Sequence, residues 1–254
     1  MDDQDARAYL ARIGVERPRL LDAAALAELH RAHQMTVPFE NLSIHLGEPI
    51  SLDEPDLLAK IVTRRRGGFC YELNGAFALL LEALGARVDR VAAAVHGEAG
   101  LGPPFAHLAL VVRPEDGSGP WLADVGFGRH STCPLLLDSR SVQHDPAGDF
   151  LLADAGDGDI DVLAGGEPAY RIELRPRDLA DFAHGCWWHQ TSPRSHFTQH
   201  TVCSLLTDDG RISISGRTLL RTSGAGRSEL DLPTDAAVLA AYRDHFGITL
   251  DRVP

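Results

Sequence analysis

The segment Arg64-Arg65-Arg66-Gly67-Gly68-Phe69-Cys70-Tyr71-Glu72-Leu73-Asn74 carries the densest chemical information in the chain. A thiol attacks a carbonyl carbon only as thiolate, and an isolated cysteine ionises near pH 8.5. Two features here are expected to lower that value. A helix starting at Cys70 would present free N–H groups and a partial positive charge, and three arginines precede it. Gly67 and Gly68 would let the backbone turn tightly and let a substrate approach without a Cβ in the way. Most free cysteines are simply small buried hydrophobes. Cys133, Cys186 and Cys203 lack these surroundings and read as structural.

A nucleophilic cysteine needs a base, and the base needs a group to orient it. His107 begins the apolar strand His107-Leu108-Ala109-Leu110-Val111-Val112, and Asp124 lies within Trp121-Leu122-Ala123-Asp124-Val125-Gly126-Phe127-Gly128. A carboxylate in an apolar strand is costly unless paired, and two adjacent strands could set it beside the imidazole. Spacing alone leaves this open. His107 also reads as a buried, hydrogen-bonded histidine and Asp124 as a turn-capping carboxylate, and the chain has 12 histidines to choose from. Lys60 is the only lysine, so a Schiff-base mechanism has one candidate and is set aside. His184, Cys186, His189, His196, His200 and Cys203 crowd together and offer a zinc reading, with His196 and His200 at helical spacing, but no Cys-x-x-Cys pair anchors the group.

The elements that must position these residues follow from pattern. Asp5 to Ile13 reads as a helix ended by Gly14. Asp22 caps a second, with Leu26 and Leu29 inward and Pro38 as its stop. Asp53-Glu54-Pro55-Asp56 opens a third, buried through Leu57, Leu58, Ile61 and Val62. Leu73, Phe77, Leu80, Leu81 and Leu84 form one face of a fourth that Gly85 closes. The period then changes to strands at 88–95, 107–112 and 121–125, with turns at 116–120, 145–149, 154–159 and 164–168. Thr201 to Leu206 and Arg211 to Ser215 read as a hairpin around Asp208-Asp209-Gly210. Thr234 caps a last helix, with Val238, Leu239, Tyr242 and Phe246 inward and Gly247 at its end.

Composition narrows the class. The 254 residues are 44% hydrophobic and 24% charged, with 36 acidic against 24 basic side chains and a formal charge of -12. That balance suits a soluble globular protein and argues against general nucleic-acid or basic membrane-surface binding. No apolar run approaches the roughly 20 residues of a membrane span. The acidic start Met1-Asp2-Asp3-Gln4-Asp5 lacks signal-peptide features, and four dispersed cysteines do not make a disulfide framework. A reduced, cytoplasmic protein is expected.

Five motifs in order resemble the arylamine N-acetyltransferase family over nearly the whole chain. They are Val37-Pro38-Phe39-Glu40-Asn41-Leu42, Arg66 to Asn74, His107 before its apolar strand, Asp124-Val125-Gly126-Phe127-Gly128, and Ser192-Pro193-Arg194-Ser195-His196-Phe197, with Gly216-Arg217-Thr218-Leu219 and the final helix fitting the same plan. The resemblance implies an α+β, three-domain fold: a helical bundle at 1–86 carrying the cysteine, a β-barrel at 87–193 carrying the histidine and aspartate, and an α/β lid at 194–254. It implies a papain- and transglutaminase-like triad of Cys70, His107 and Asp124, with no permanently bound cofactor, no metal, and acetyl-CoA as co-substrate. The implied reaction is ping-pong acetyl transfer through Cys70 to an aromatic amine, hydroxylamine or hydrazine, in the setting of xenobiotic metabolism. Tyr71, Phe127 and Phe197 would line the acceptor pocket, Gly126 and Gly128 would flank the CoA cleft, and Glu40 would pair with Arg66, a bidentate pair holding the catalytic turn. Backbone N–H groups at the helix start, that of Cys70 included, are candidates for an oxyanion hole.

This chain departs from the family pattern in places. Ala106 stands where many members carry a hydroxyl residue, Trp187-Trp188-His189-Gln190 brings unfamiliar residues to the pocket rim, and the chain stops soon after Phe246-Gly247-Ile248, which would leave the CoA cleft more open. The same triad could instead serve an amide synthase that closes a macrolactam from a carrier-bound thioester, or a thiol hydrolase acting on peptides.

Overall fold

The computed structural model describes residues 1–254, and the chain folds around three hydrophobic clusters. The first third supplies α1 (Asp3–Ile13), α2 (Ala23–Thr36), the two-residue strand β1 (Phe39–Glu40), α3 (Leu42–Leu46), α4 (Glu54–Leu58) and α5 (Cys70–Ala83). Caps fall where the side chains dictate. Asp2 accepts from Asp5 N–H and Asp22 from Ala25 N–H, while Gly14 ends α1 in the left-handed region. Pro55 lies in the first turn of α4, which continues as a π turn over 59–63. α5 is almost wholly buried; its apolar face and its neighbours form the largest cluster.

The middle of the chain forms β2 (Arg87–Gly97), β3 (Gly100–Leu101), β4 (His107–Arg113), β5 (Trp121–Ala123), β6 (Leu135–Leu136), β7 (Gln143–Asp145), β8 (Gly148–Asp154), β9 (Ile160–Ala164) and β10 (Glu167–Arg177). They pair antiparallel in the order β6-β5-β4-β2-β10-β9-β8-β7, with β3 beside β2. The sheet curls into a nearly closed barrel. Its two end strands meet through the Gln143 side-chain amide, which accepts from Leu136 N–H at 2.7 Å and donates to Leu136 O at 3.1 Å. The expected strand at 121–125 stops at Ala123, so Asp124 stands just beyond the barrel edge, free to turn toward the helices.

Beyond the barrel come α6 (Ala183–Thr191), α7 (His196–Gln199), β11 (Val202–Thr207), β12 (Gly210–Ser215), β13 (Thr218–Ser223), β14 (Gly226–Asp231) and α8 (Asp235–Phe246). The last sheet runs β1-β11-β12-β13-β14, so a strand from the first third is its edge, pairing Phe39 with Ser204 and Glu40 with Cys203. Asn41 ties the two parts further. Its Nδ2 donates to the carbonyls of Phe197 and His200, and its Oδ1 accepts from Val202 N–H. No helix is long and apolar enough to cross a membrane.

Candidate active site

α5 begins at Cys70 because Phe69 is extended and Glu72 reaches back to accept from Phe69 N–H at 3.2 Å. The other Glu72 oxygen accepts from Lys60 Nζ at 2.6 Å, so the only lysine is spent on a buried ion pair. Cys70 is 3% exposed, yet it lines a cavity of about 300 Å³ with Phe39, His107, Phe127, His189 and Phe197. Burial pushes the Cys70 thiol well above its ordinary range, and the N–H groups of Leu108 and Tyr71 oppose this only in part. The expectation that the arginines would depress it is therefore corrected. Arg64 and Arg65 are exposed, and Arg66 turns to Glu40 and Glu48. Attack by this sulfur calls for a base to take its proton.

That base has the right posture. His107 Nε2–H donates to Asp124 Oδ2 at 2.7 Å, both side chains being buried. With the proton on Nε2, Nδ1 keeps its lone pair for a thiol proton. Burial alone would raise the Asp124 carboxyl, but His107, its hydrogen bond, His130 and Asn74 outweigh it and hold the group well below the usual carboxylate range. The charge needed to orient an imidazole is thus present.

Two residues without an assigned role in the sequence reading complete the frame. Asn74 lies one helical turn after Cys70. Its Nδ2 donates to Asp124 Oδ1 at 2.8 Å and to Leu108 O at 2.6 Å, and its Oδ1 accepts from Val125 N–H at 2.9 Å. One turn of α5 therefore fixes both the sulfur and the carboxylate, as i, i+4 neighbours share a helix face. His30 on α2 accepts from Asp124 N–H at 3.1 Å through Nε2 and donates to Thr132 O at 3.0 Å through Nδ1. The position of Asn74 in the motif was visible in the sequence; nothing local marks His30, which is 94 residues from its partner.

The remaining expected residues sort by place. Phe127 meets the His107 ring edge-on at 5.2 Å, and Phe197 packs on Phe39 at 6.0 Å; both line the thiol cavity. Tyr71 does not line it, being fully buried with its hydroxyl donating to Phe105 O at 2.7 Å. Gly126 lines the cavity, and a Cβ there would lie 2.8 Å from Cys70 Cα and from Asn74 Nδ2, so this glycine is required by the closeness of the chain to α5. Gly128 takes φ +84 against the Phe39 ring. Gly67 and Gly68 face Pro38 O and Glu72 respectively, so their missing side chains serve chain packing rather than substrate approach. Arg66 bonds Glu40 Oε1 at 2.9 Å through Nε, Glu48 Oε2 at 3.2 Å and Ser43 Oγ at 3.3 Å, three partners in place of the bidentate pair expected. Burial would raise the Glu40 carboxyl, but Lys60 and Arg66 hold it below its ordinary value. The histidines and cysteines of 184–203 do not gather at one point. No three His, Cys, Asp or Glu side chains converge as a ligand set; His189 instead bonds Ala106 O and Ser195 Oγ, and Cys186 bonds Gln190.

A second cavity, of about 350 Å³, lies beyond the 126–132 loop and is lined by Arg31, Arg129, His130 and Arg211 together with Asp208 and Asp209. Arg31 approaches Asp208 at 3.6 Å, whereas Arg211 donates to Ser204 Oγ at 3.1 Å. Burial, with Arg129 adding like-charge repulsion, lowers Arg211 to about 10. Ser204 is the register partner of Phe39, and in the chain Gly128 separates Phe127 of the thiol cavity from Arg129 of the second cavity.

Fold and site together define a thiol enzyme whose Cys–His–Asp triad sits between a helical bundle and a barrel. The profile of a family described as N-acetyltransferase matches residues 22–253. The arylamine N-acetyltransferase of Mycolicibacterium smegmatis is 36% identical over 256 residues, covering 97% of this chain and 92% of the relative. A solved structure of M. smegmatis arylamine N-acetyltransferase superposes with a TM-score of 0.90, covering 98% of this chain and 93% of that one at 36% identity. The Mycobacterium marinum enzyme in complex with CoA gives 0.88, covering 96% and 92% at 33% identity. The chain belongs to the arylamine N-acetyltransferase family.

Proposed function

We propose that this chain transfers an acetyl group from acetyl-CoA through Cys70 to an aromatic amine, hydroxylamine or hydrazine. The observation that carries the reading is a buried cysteine sharing one cavity with an imidazole already bound to a carboxylate. His107 Nδ1 takes the Cys70 proton as sulfur attacks the thioester carbonyl, and Asp124 stabilises the imidazolium that forms. The tetrahedral oxyanion is met by backbone N–H groups; that of Cys70, first in α5, has no acceptor within the helix. CoA leaves as a thiol after taking the proton from His107. The amine then attacks acetyl-Cys70, His107 accepts the proton that nitrogen loses, and Cys70 is released. Thiol exchange is nearly balanced in energy, whereas forming the amide is downhill.

Acetyl-CoA is a co-substrate, and the residues present suit it. Arg31, Arg129 and Arg211 offer charge-assisted donors for its phosphates, in a chain that is otherwise strongly acidic. Gly128, packed on the Phe39 ring, joins Phe127 of the thiol cavity to Arg129 of the second, and the pantetheine arm would pass along this turn. Phe127 and Phe197 give flat walls for an aromatic acceptor. The test is initial-rate kinetics with acetyl-CoA and aniline. Parallel double-reciprocal lines are expected. Intersecting lines, or acyl loading of the protein from a carrier-bound thioester and none from acetyl-CoA, would contradict the proposal.

A further inference from the structure

The loop 124–132 links two parts of the site. It starts at Asp124, sets Phe127 edge-on to the His107 ring at 5.2 Å, and continues through Arg129 and Thr132, which line the second cavity. One buried imidazole touches both of its ends. His30 Nε2 accepts from Asp124 N–H at 3.1 Å, and His30 Nδ1–H donates to Thr132 O at 3.0 Å. We propose that His30 is a positioning residue with a separate duty for each ring nitrogen: Nε2 sets Asp124 for the triad, and Nδ1 sets the Arg129 end of the loop for acetyl-CoA. The proposal rests on the function proposed above and names a further residue on which that site depends.

The two duties follow from the partners. A backbone N–H only donates and a carbonyl only accepts, so the two contacts fix the ring as the neutral tautomer with its proton on Nδ1. Gln34 Nε2 comes within 3.0 Å of that nitrogen but donates to Ser131 O at 2.9 Å, adding a second hold on the same end of the loop. Burial lowers the affinity of His30 for a second proton, which keeps Nε2 an acceptor.

Each hold is one that the rest of the frame leaves to His30. β5 stops at Ala123, so the ladder does not take Asp124 N–H, and His30 is its acceptor. A buried N–H without an acceptor is costly. The Asp124 carboxylate is met by Asn74, Gly126 N–H and His107, whereas His30 grips the main chain at the root of that side chain. A shift of the root displaces the carboxylate from the His107 ring. At the other end Asp145 accepts from Thr132 N–H and Cys133 N–H at 2.9 Å, and the Thr132 carbonyl goes to His30. Arg31, the next residue on α2, lines the second cavity with Arg129, so the helix that closes the loop also faces the phosphates that the loop would bind.

Two substitutions separate the duties. His30→Gln offers a carbonyl about where Nε2 lies and can accept from Asp124 N–H; His30→Asn offers an amide N–H about where Nδ1 lies and can donate to Thr132 O. Each full-length protein is mixed with acetyl-CoA without amine, and acetylation of Cys70 is followed by rapid quenching and mass spectrometry over a range of acetyl-CoA concentrations. His30→Asn should lower the maximal rate constant about tenfold to a hundredfold, the order of a small misplacement of a reacting group, and shift the half-saturating concentration less than about twofold. His30→Gln should keep the maximal rate constant within about twofold and raise the half-saturating concentration about fivefold, as a weakened charged hydrogen bond does. The same pattern of loss in both variants, or no loss in either, overturns the assignment alone. Imidazole nitrogen NMR of the wild-type protein asks nothing of a variant's folding: His30 is expected to carry its proton on Nδ1, and a proton on Nε2 would overturn the Asp124 half. Absence of acetyl-Cys70 in wild type overturns the proposed function and the assignment with it.

Discussion

Cys70 and Cys186 belong to the same hydrophobic cluster, and burial raises both thiols. Cys186 is pushed up to about 12, and its sulfur accepts from Gln190 Nε2 at 3.2 Å within α6. Cys70 starts its helix and opens on a cavity that also holds His107. Burial and a raised thiol are therefore common to both cysteines. What separates them is an imidazole with a free nitrogen, turned by a carboxylate, and a volume in which an acyl group can sit. Where the arginines are expected to depress the thiol, they turn away from it, and what stands beside Cys70 is an imidazole bound to a carboxylate.

The largest break in that comparison comes from disarming the base. Asp124→Asn keeps shape and hydrogen-bonding capacity but removes the charge and favours the wrong imidazole tautomer. Turnover is expected to fall by about 10³- to 10⁴-fold, the order such a change produces in triad enzymes. A drop below tenfold in steady-state acetylation would mean that Cys70 does not depend on His107 in this way.

Next in size is the ionic frame under the catalytic turn. Glu40→Gln leaves the buried Arg66 with only the more exposed Glu48 as counter-charge. It should cost about 3–5 kcal/mol in chemical denaturation, the usual order for breaking a buried pair on one side. An unchanged denaturation midpoint would show that Glu48 and Ser43 suffice for Arg66.

The imidazoles behind the triad give a smaller, pH-dependent effect. Burial lowers His33 to about 3 and His130 to about 4, so both are neutral in the native protein across the working range. The unfolded chain takes up these protons near pH 6.5. Between that value and the native ones the unfolded state binds more protons, so stability falls as pH falls. From pH 6.5 to pH 5 each histidine should contribute a loss of about 2 kcal/mol, read as a falling melting temperature, and His130→Asn should flatten the slope. Asp124 and Glu40 act in the same direction but lower, because carboxyls held below their ordinary values lose their contribution only as pH drops below about 4. A melting temperature constant between pH 6.5 and 5 would contradict neutral buried histidines. The smallest effect is on the far cavity. Arg129→Ala or Arg211→Ala should raise KM for acetyl-CoA about five- to tenfold, as loss of one charged hydrogen bond does, with kcat and Cys186 untouched; an unchanged KM would place the phosphates elsewhere.

The family resemblance carried the Cys70, His107 and Asp124 set, and local signals carried the longer helices of the first third and α8, while α3, α6 and α7 have no comparable pattern. The face Leu73 to Leu84, the Asp22 cap and the order of five motifs can all be read within short windows. The α+β plan with its helical bundle and barrel, implied by the resemblance, is the architecture observed. What escaped depends on distant partners. β1 is two residues long and becomes a strand only through β11, some 160 positions away. β14 is exposed throughout, so no alternation marked it. The reach of Asn74 to Asp124 and Val125 and the grip of His30 on the Asp124 backbone are tertiary facts with no local signature. The expected role of the arginines failed for the same reason, since only the fold shows that Arg66 is drawn to Glu40 and away from the sulfur.

One measurement bears most directly on the comparison of the two cysteines. The protein is mixed with acetyl-CoA alone at neutral pH, quenched within the first turnover, and its peptides are mapped by mass spectrometry. The account predicts one acetyl group, on Cys70, with none on Cys186 and none on any cysteine of the His107→Ala protein. Acetylation spread equally over both cysteines, or persisting on Cys70 when His107 is removed, would contradict it.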